Sequence, residues 1–211
     1  MVTAQSTTQG SLTFGQRYAV LNLDFMTILI DAIKDTTEGQ AFITNCSRWN
    51  NAVHMKNARP LTIFTTLYFA PGRPELATGA PFTKLLEGFG SFDAGSPEVQ
   101  IASNFVLDAK DIVLQKIRWH AGSGNNLEHI LKAQNIDTVI ISGLTLSGVV
   151  MSTIYRLFDL DYQIYVISDN VLELPLSHHL DFSKVMLDAL LPKMNLRSIS
   201  VEEALEALGR S

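Results

Sequence analysis

Four runs of continuous apolar and β-branched residues constrain this chain most: Tyr18–Leu23 (YAVLNL), Leu61–Leu67 (LTIFTTL), Thr138–Ser142 (TVIIS) and Gln163–Ser168 (QIYVIS). A strand with one wet face alternates apolar and polar residues, whereas a strand covered on both faces does not. These runs therefore read as strands buried on both sides, the situation of a parallel sheet. Asp111–Gln115 (DIVLQ) reads as a fifth strand and Leu196–Ser200 (LRSIS) as a sixth, at an edge. Helical periods fall between them, over Ala41–Asn57, Asn126–Gln134, Val149–Leu160, Leu180–Leu191 and Val201–Leu208. Strands alternating with helices predict a three-layer α/β/α doubly wound sandwich, Rossmann-like, with a mainly parallel sheet of about six strands.

Composition narrows what such a fold does. With 211 residues, 46% hydrophobic and 18% charged, the chain suits one domain, taken as 14–211. Residues 1–13 are rich in Ser, Thr and Gln and read as a flexible tail. The net charge is −5 and no Lys/Arg cluster forms a basic stripe, so nucleic acid is not an expected partner. No secretory signal pattern and no apolar run of membrane-spanning length is visible, which points away from membranes and to the cytoplasm. The single cysteine, Cys46, allows no internal disulfide.

Ligands of open α/β sheets bind beyond the carboxyl ends of the strands. The first strand is followed by Asp24, the second by Tyr68, Phe69 and a PGRPE loop. The fifth run is followed by Lys116, Arg118, Trp119 and His120; TVIIS by Gly143 and LTLSGVV; QIYVIS by Asp169. Asp24 and Lys116 end two strands that read as neighbours. Such a pair is either a structural ion pair or an acid–base site with displaced pKa values, and an Asp at a strand end also caps turns. In Ser142–Val150 two glycines permit close backbone approach, and free N–H groups at the helix start suit an oxyanion. The plainer alternative makes Ser147 an N-cap and Gly148 a relief of crowding. No dinucleotide or P-loop fingerprint is present, and no cofactor is expected. The Pro/Gly-rich stretch Ala70–Gly95 reads as a loop covering a site.

Together these segments resemble the isochorismatase-like hydrolases, or cysteine hydrolases, from about Tyr18 onward. AVLNLDFM is similar to the first-strand motif ending in the family's catalytic Asp, which falls on Asp24. DIVLQKIRWHAGSGNNLEHIL is similar to the segment carrying its catalytic Lys, which falls on Lys116; Arg118 and Ala121 match a K-x-R-x-x-A pattern. SGLTLSGVVMSTIYRLFDLDYQIYVISDNV resembles the nucleophile motif, with Gly143, Val150, Thr153, Tyr162 and Asp169 in register. The nucleophile's own position is Val149, or Gly148 after a one-residue slip, and neither can attack a carbonyl. Cys46 lies elsewhere and reads as a small buried hydrophobe. The family's metal-binding Asp/His cluster has no counterpart; His178 and His179, at i and i+1, read as surface or structural.

The resemblance implies a turn of Leu144, Thr145, Gly148 and Val149 that presents backbone donors. Phe25, Tyr68, Phe69 and Trp119 read as the wall of an aromatic substrate pocket or, for half of them, as core, and Arg118 suits a bidentate grip on a substrate carboxylate. The resemblance also implies a small-molecule substrate and a homo-oligomer, dimer or tetramer. Without a thiol, the expected activity is acid-catalysed hydrolysis by Asp24 of a small carboxylated or enol-ether metabolite. The alternative is an inactive member that binds a metabolite or a partner.

Overall fold

The expected strands all form and all pair in parallel. The computed structural model describes residues 11–211, so most of the expected tail lies outside the described residues. The strands are β1 (Tyr18–Leu23), β2 (Leu61–Leu67), β3 (Ile112–Lys116), β4 (Thr138–Leu144), β5 (Gln163–Leu172) and β6 (Arg197–Ile199), in the order β3-β2-β1-β4-β5-β6. The chain winds outward from β1 to β3, then returns to β4 and winds the other way. The order reverses between β1 and β4, the place where such sheets open a crevice. Asp24 and Lys116 are therefore not on neighbouring strands, because β2 lies between theirs.

The helices are α1 (Thr27–Asp31), α2 (Thr37–His54), α3 (Pro81–Leu86), α4 (Leu127–Ala133), α5 (Met151–Phe158), α6 (His179–Val185), α7 (Leu191–Lys193) and α8 (Val201–Arg210). A π-helical turn, Leu146–Val150, joins β4 to α5, and a second, Met186–Leu190, lies between α6 and α7. Thr36 starts α2 by accepting the Gly39 N–H at 3.0 Å, five residues before the apolar period becomes visible. Ser200 and Glu203 form a reciprocal capping box on α8, and Asp169 accepts the Val201 N–H at 2.6 Å. Asp169 thus holds β5 to α8.

Successive strand residues point to opposite faces. Val20, Ile140 and Ile167 meet Trp49 and Val53 of α2 and Ala204 and Leu208 of α8. Ala19, Leu21, Val139 and Ile141 meet Leu127 and Leu131 of α4 and Ile154 and Leu157 of α5. Each fully buried Leu, Ile or Phe contributes about 1.5–3 kcal/mol before chain entropy is counted. At the centre, Gly143 pairs with Leu23 so closely that a Cβ on it would lie 2.7 Å from the Leu23 Cβ and 2.8 Å from its carbonyl oxygen. The switch point is therefore narrow because residue 143 has no side chain. No described helix is long and apolar enough to cross a membrane.

Candidate active site

Asp24 leaves β1 with φ 58°, a left-handed turn that bends the chain away from the strand line. Its carboxylate is held from two sides. Thr65 of β2 donates its hydroxyl to Oδ1 at 2.7 Å and accepts the Asp24 N–H at 3.1 Å. Lys116, the last residue of β3, reaches past β2 and places Nζ 2.7 Å from Oδ2. The same ammonium donates to the carbonyls of Arg118 at 3.0 Å and Trp119 at 3.1 Å, so its three N–H groups each have an acceptor. The two side chains are 2% and 0% exposed. Burial pushes the Asp24 carboxyl above its ordinary range, against the pull of Lys116 and Thr65. Burial likewise lowers Lys116, against the pull of Asp24. The pair's two pKa values are thus drawn toward each other, which eases proton exchange between acid and amine forms.

Asp24 fronts a cleft of about 240 Å³. Met26, Leu29 and Leu67 form its base, and Thr145, Ser147 and Val149 of the β4–α5 turn one side. Trp119, Glu173 and Leu174 form the other side, and Leu85, Leu86, Phe89 and Phe92 close over it. These last four belong to or follow α3, so the Pro/Gly-rich segment covers the site as its sequence suggested.

The β4–α5 turn borders the cleft. Val149 is 4% exposed and lines the cleft, while Leu144 is fully buried beneath it. The Leu144–Thr145 peptide is cis. A Cβ on Gly148 would come within 3.0 Å of both the Thr145 Oγ1 and the Trp119 ring, so the glycine lets the indole lie against the turn. Ser147 is not an N-cap: the π-helical turn Leu146–Val150 has Thr145 at its N-cap, without a side-chain bond, and Ser147 instead donates its backbone N–H to Glu173 Oε2 at 2.6 Å.

Three expected substrate contacts lie elsewhere. Phe25 is fully buried, its ring packed on Phe42, Phe64 and Phe105; the left-handed turn at Asp24 sends the next side chain into the core. Tyr68 lines a different groove with Thr66, Ile101 and Leu107, and its carbonyl accepts from Gln115. Arg118 donates to the carbonyls of Ile117 at 2.6 Å and Glu75 at 2.8 Å and stacks 4.9 Å over Phe82. It anchors the covering segment and grips no carboxylate. Trp119 does line the cleft.

Glu173 was not anticipated. It follows β5, is 2% exposed, and its Oε1 accepts the Leu174 N–H at 2.9 Å. The only available signal was its position three residues beyond Asn170, and the longer strand hid it. His178 packs on Phe182 and His179 lies 3.3 Å from the Ser183 hydroxyl. Among the described residues no three His, Cys, Asp or Glu side chains gather as metal ligands. A wider groove of about 630 Å³ opens at the amino ends of the strands. Its Arg17 is already paired with Asp137 at 2.7 Å, and it lies at the end where such sheets do not carry chemistry.

A six-stranded parallel sheet with a buried Asp–Lys pair at the carboxyl end, beside a strand-to-helix turn, defines a class of α/β hydrolase. The Isochorismatase domain model matches residues 18–194, and the chain belongs to that family. Solved structures show the same fold. An isochorismatase family protein from Burkholderia thailandensis superposes with a TM-score of 0.77 at 19% identity, over 95% of this chain and 100% of that one. A cysteine hydrolase from Pseudomonas syringae pv. phaseolicola gives 0.78 at 13% identity, over 92% and 93%. N-carbamoylsarcosine amidase from Thermoplasma acidophilum gives 0.69 at 18% identity, over 88% and 97%. No curated protein sequence matches the chain.

Proposed function

We infer that this protein is a hydrolase of small molecules that works without a covalent thioester, with Asp24 carrying the proton. One observation carries the reading: Asp24, Thr65 and Lys116 are built as a complete, buried assembly under a cleft that Val149 lines, and we take Val149 to stand where the family's nucleophile would be.

A side chain of valine forms no acyl intermediate, so the reaction must suit acid–base catalysis alone. Hydrolysis of an enol ether does. The Asp24 carboxyl gives its proton to the enol carbon, and the substrate becomes an oxocarbenium ion. Water adds to that ion, its proton returns to Asp24, and the hemiketal collapses to a ketone and an alcohol. Lys116 stabilises the carboxylate while the proton is away. Its three N–H bonds hold it in place, so it acts as a fixed charge.

The expected carboxylate on the substrate is withdrawn. Arg118 is committed to the covering segment, and among the described residues no Lys or Arg lines the cleft. The same reading takes residues 14–211 as one catalytic domain, cytoplasmic and assembled as a dimer or tetramer; light scattering on the purified protein checks the assembly.

The test is turnover of a panel of neutral and amine-bearing enol ethers, followed by carbonyl release. Asp24→Asn should lower kcat/KM by 10²-fold or more. No turnover across the panel, or undiminished turnover in Asp24→Asn, overturns the reading and leaves a binding protein.

A further inference from the structure

The charges around the cleft do not balance. As the ion pair, Asp24 and Lys116 neutralise each other, and Lys116 spends its bonds on Asp24 and on the Arg118 and Trp119 carbonyls, none of them on Glu173. Glu173 is buried to the same degree, yet among the described residues no Lys or Arg pairs with it: its two oxygens accept the backbone N–H groups of Ser147 and Leu174. The nearby imidazole, His179, is drawn toward its neutral form by burial, against the pull of Glu173 and Glu38. A carboxylate buried without a counter-charge is costly unless something cationic occupies the adjoining space.

That space has the complementary wall. The Trp119 ring lies against Gly148, and the next backbone N–H along the turn, that of Ser147, is bonded to Glu173. The indole and the carboxylate thus meet at one turn. Phe89 and Phe92 line the same cleft from the covering segment. Aromatic faces attract organic cations by about 0.5–2 kcal/mol, more when the site excludes water. A negative charge with aromatic walls is an arrangement that favours a protonated or quaternary amine and disfavours an anion.

We propose that the cleft binds organic ammonium compounds, the cationic head lodging between Glu173 and Trp119. The proposal rests on the cleft being the substrate site and narrows the substrate to an amine-bearing one.

Benzyltrimethylammonium is the probe, with benzyl alcohol and benzoate as the neutral and anionic comparisons. Calorimetry reads affinity, and quenching of tryptophan fluorescence, absent in Trp119→Phe, locates the probe. The ammonium should bind at least tenfold more tightly than benzyl alcohol, and benzoate should not bind measurably. Glu173→Gln keeps an acceptor for the Ser147 N–H and should lose that preference. Benzoate binding as tightly as the ammonium in the unmodified protein overturns the proposal, as does a preference that survives Glu173→Gln. The comparison among probes needs no variant to fold. Ammonium binding with no turnover of any enol ether sinks the hydrolase reading and spares this one; turnover without ammonium preference does the reverse.

Discussion

At the scale of single residues, the Asp24–Lys116 pair is as much a liability as an asset. Removing one partner leaves the other charge buried, which typically costs about 3–5 kcal/mol. Lys116→Met should therefore destabilise strongly, and Lys116→Met with Asp24→Asn should cost much less than the two singles summed; urea unfolding of the set measures this. Val149 offers a second test. It is nearly buried and lines the cleft, and under the proposed function it stands at the family's nucleophile position. Val149→Cys should be alkylated by iodoacetamide at least tenfold faster than Cys46, whose thiol is fully buried and pushed well above its ordinary pKa. Mass spectrometry of the two peptides decides it, and equal rates would show that the cleft does not admit a reagent. Asp24, Lys116 and Val149 were legible because a strand end and a motif in register locate a backbone position. Phe25, Tyr68 and Arg118 were not, because which way a side chain turns after a strand end depends on φ at Asp24 and on partners such as Glu75 and Phe82, distant in sequence.

At the scale of elements, the strands were easiest to see. Tyr18–Leu23 and Leu61–Leu67 coincide with β1 and β2, since a strand buried on both faces has nothing to blur its ends. β5 was harder. It continues through Ser168, Asp169 and Asn170 to Leu172, past a register shift opposite Ile141 and Gly143. Its polar residues are spent on capping α8 and on a bond from Asn170 to Ser142 at 3.3 Å. A polar stretch read as the strand's end was really its middle, and Glu173 disappeared with it. The π-helical turn was read as the first turn of a helix for a related reason: Val149 and Val150 carry helical spacing, but the wide turn precedes α5. Close element contact also yields a contrast. Gly143→Ala must push β1 from β4 against the Leu23 backbone and should lower stability by about 1–3 kcal/mol or more. Gly148→Ala meets the Trp119 ring and the Thr145 hydroxyl, and should lower stability less while perturbing the cleft. Thermal unfolding beside Trp119 fluorescence separates the two effects.

At the scale of the whole molecule, one tyrosine sets an alkaline limit. Tyr18 is 5% exposed, its hydroxyl has no partner, and burial pushes its pKa from 10.0 up to about 12. Between those values the folded chain keeps a proton that the unfolded chain releases, so stability falls as pH rises through the window, by on the order of 2–3 kcal/mol in all. Tyr18→Phe should flatten that fall, as chemical denaturation between pH 9 and 12 would show; an unchanged slope would place the cause elsewhere. The strand order has a different consequence. Lys116 ends β3, and β3 is the outermost strand on its side. It is pinned at its other end, where Asp111 receives Arg59 and lies 3.2 Å from His54. Outer strands open more readily than central ones. The proton-handling pair is thus staked half on a central strand and half on a peripheral one. In mild denaturant, whatever depends on the pair should vanish while the centre of the sheet is still protected from hydrogen exchange, so that the molecule falls silent before it comes apart.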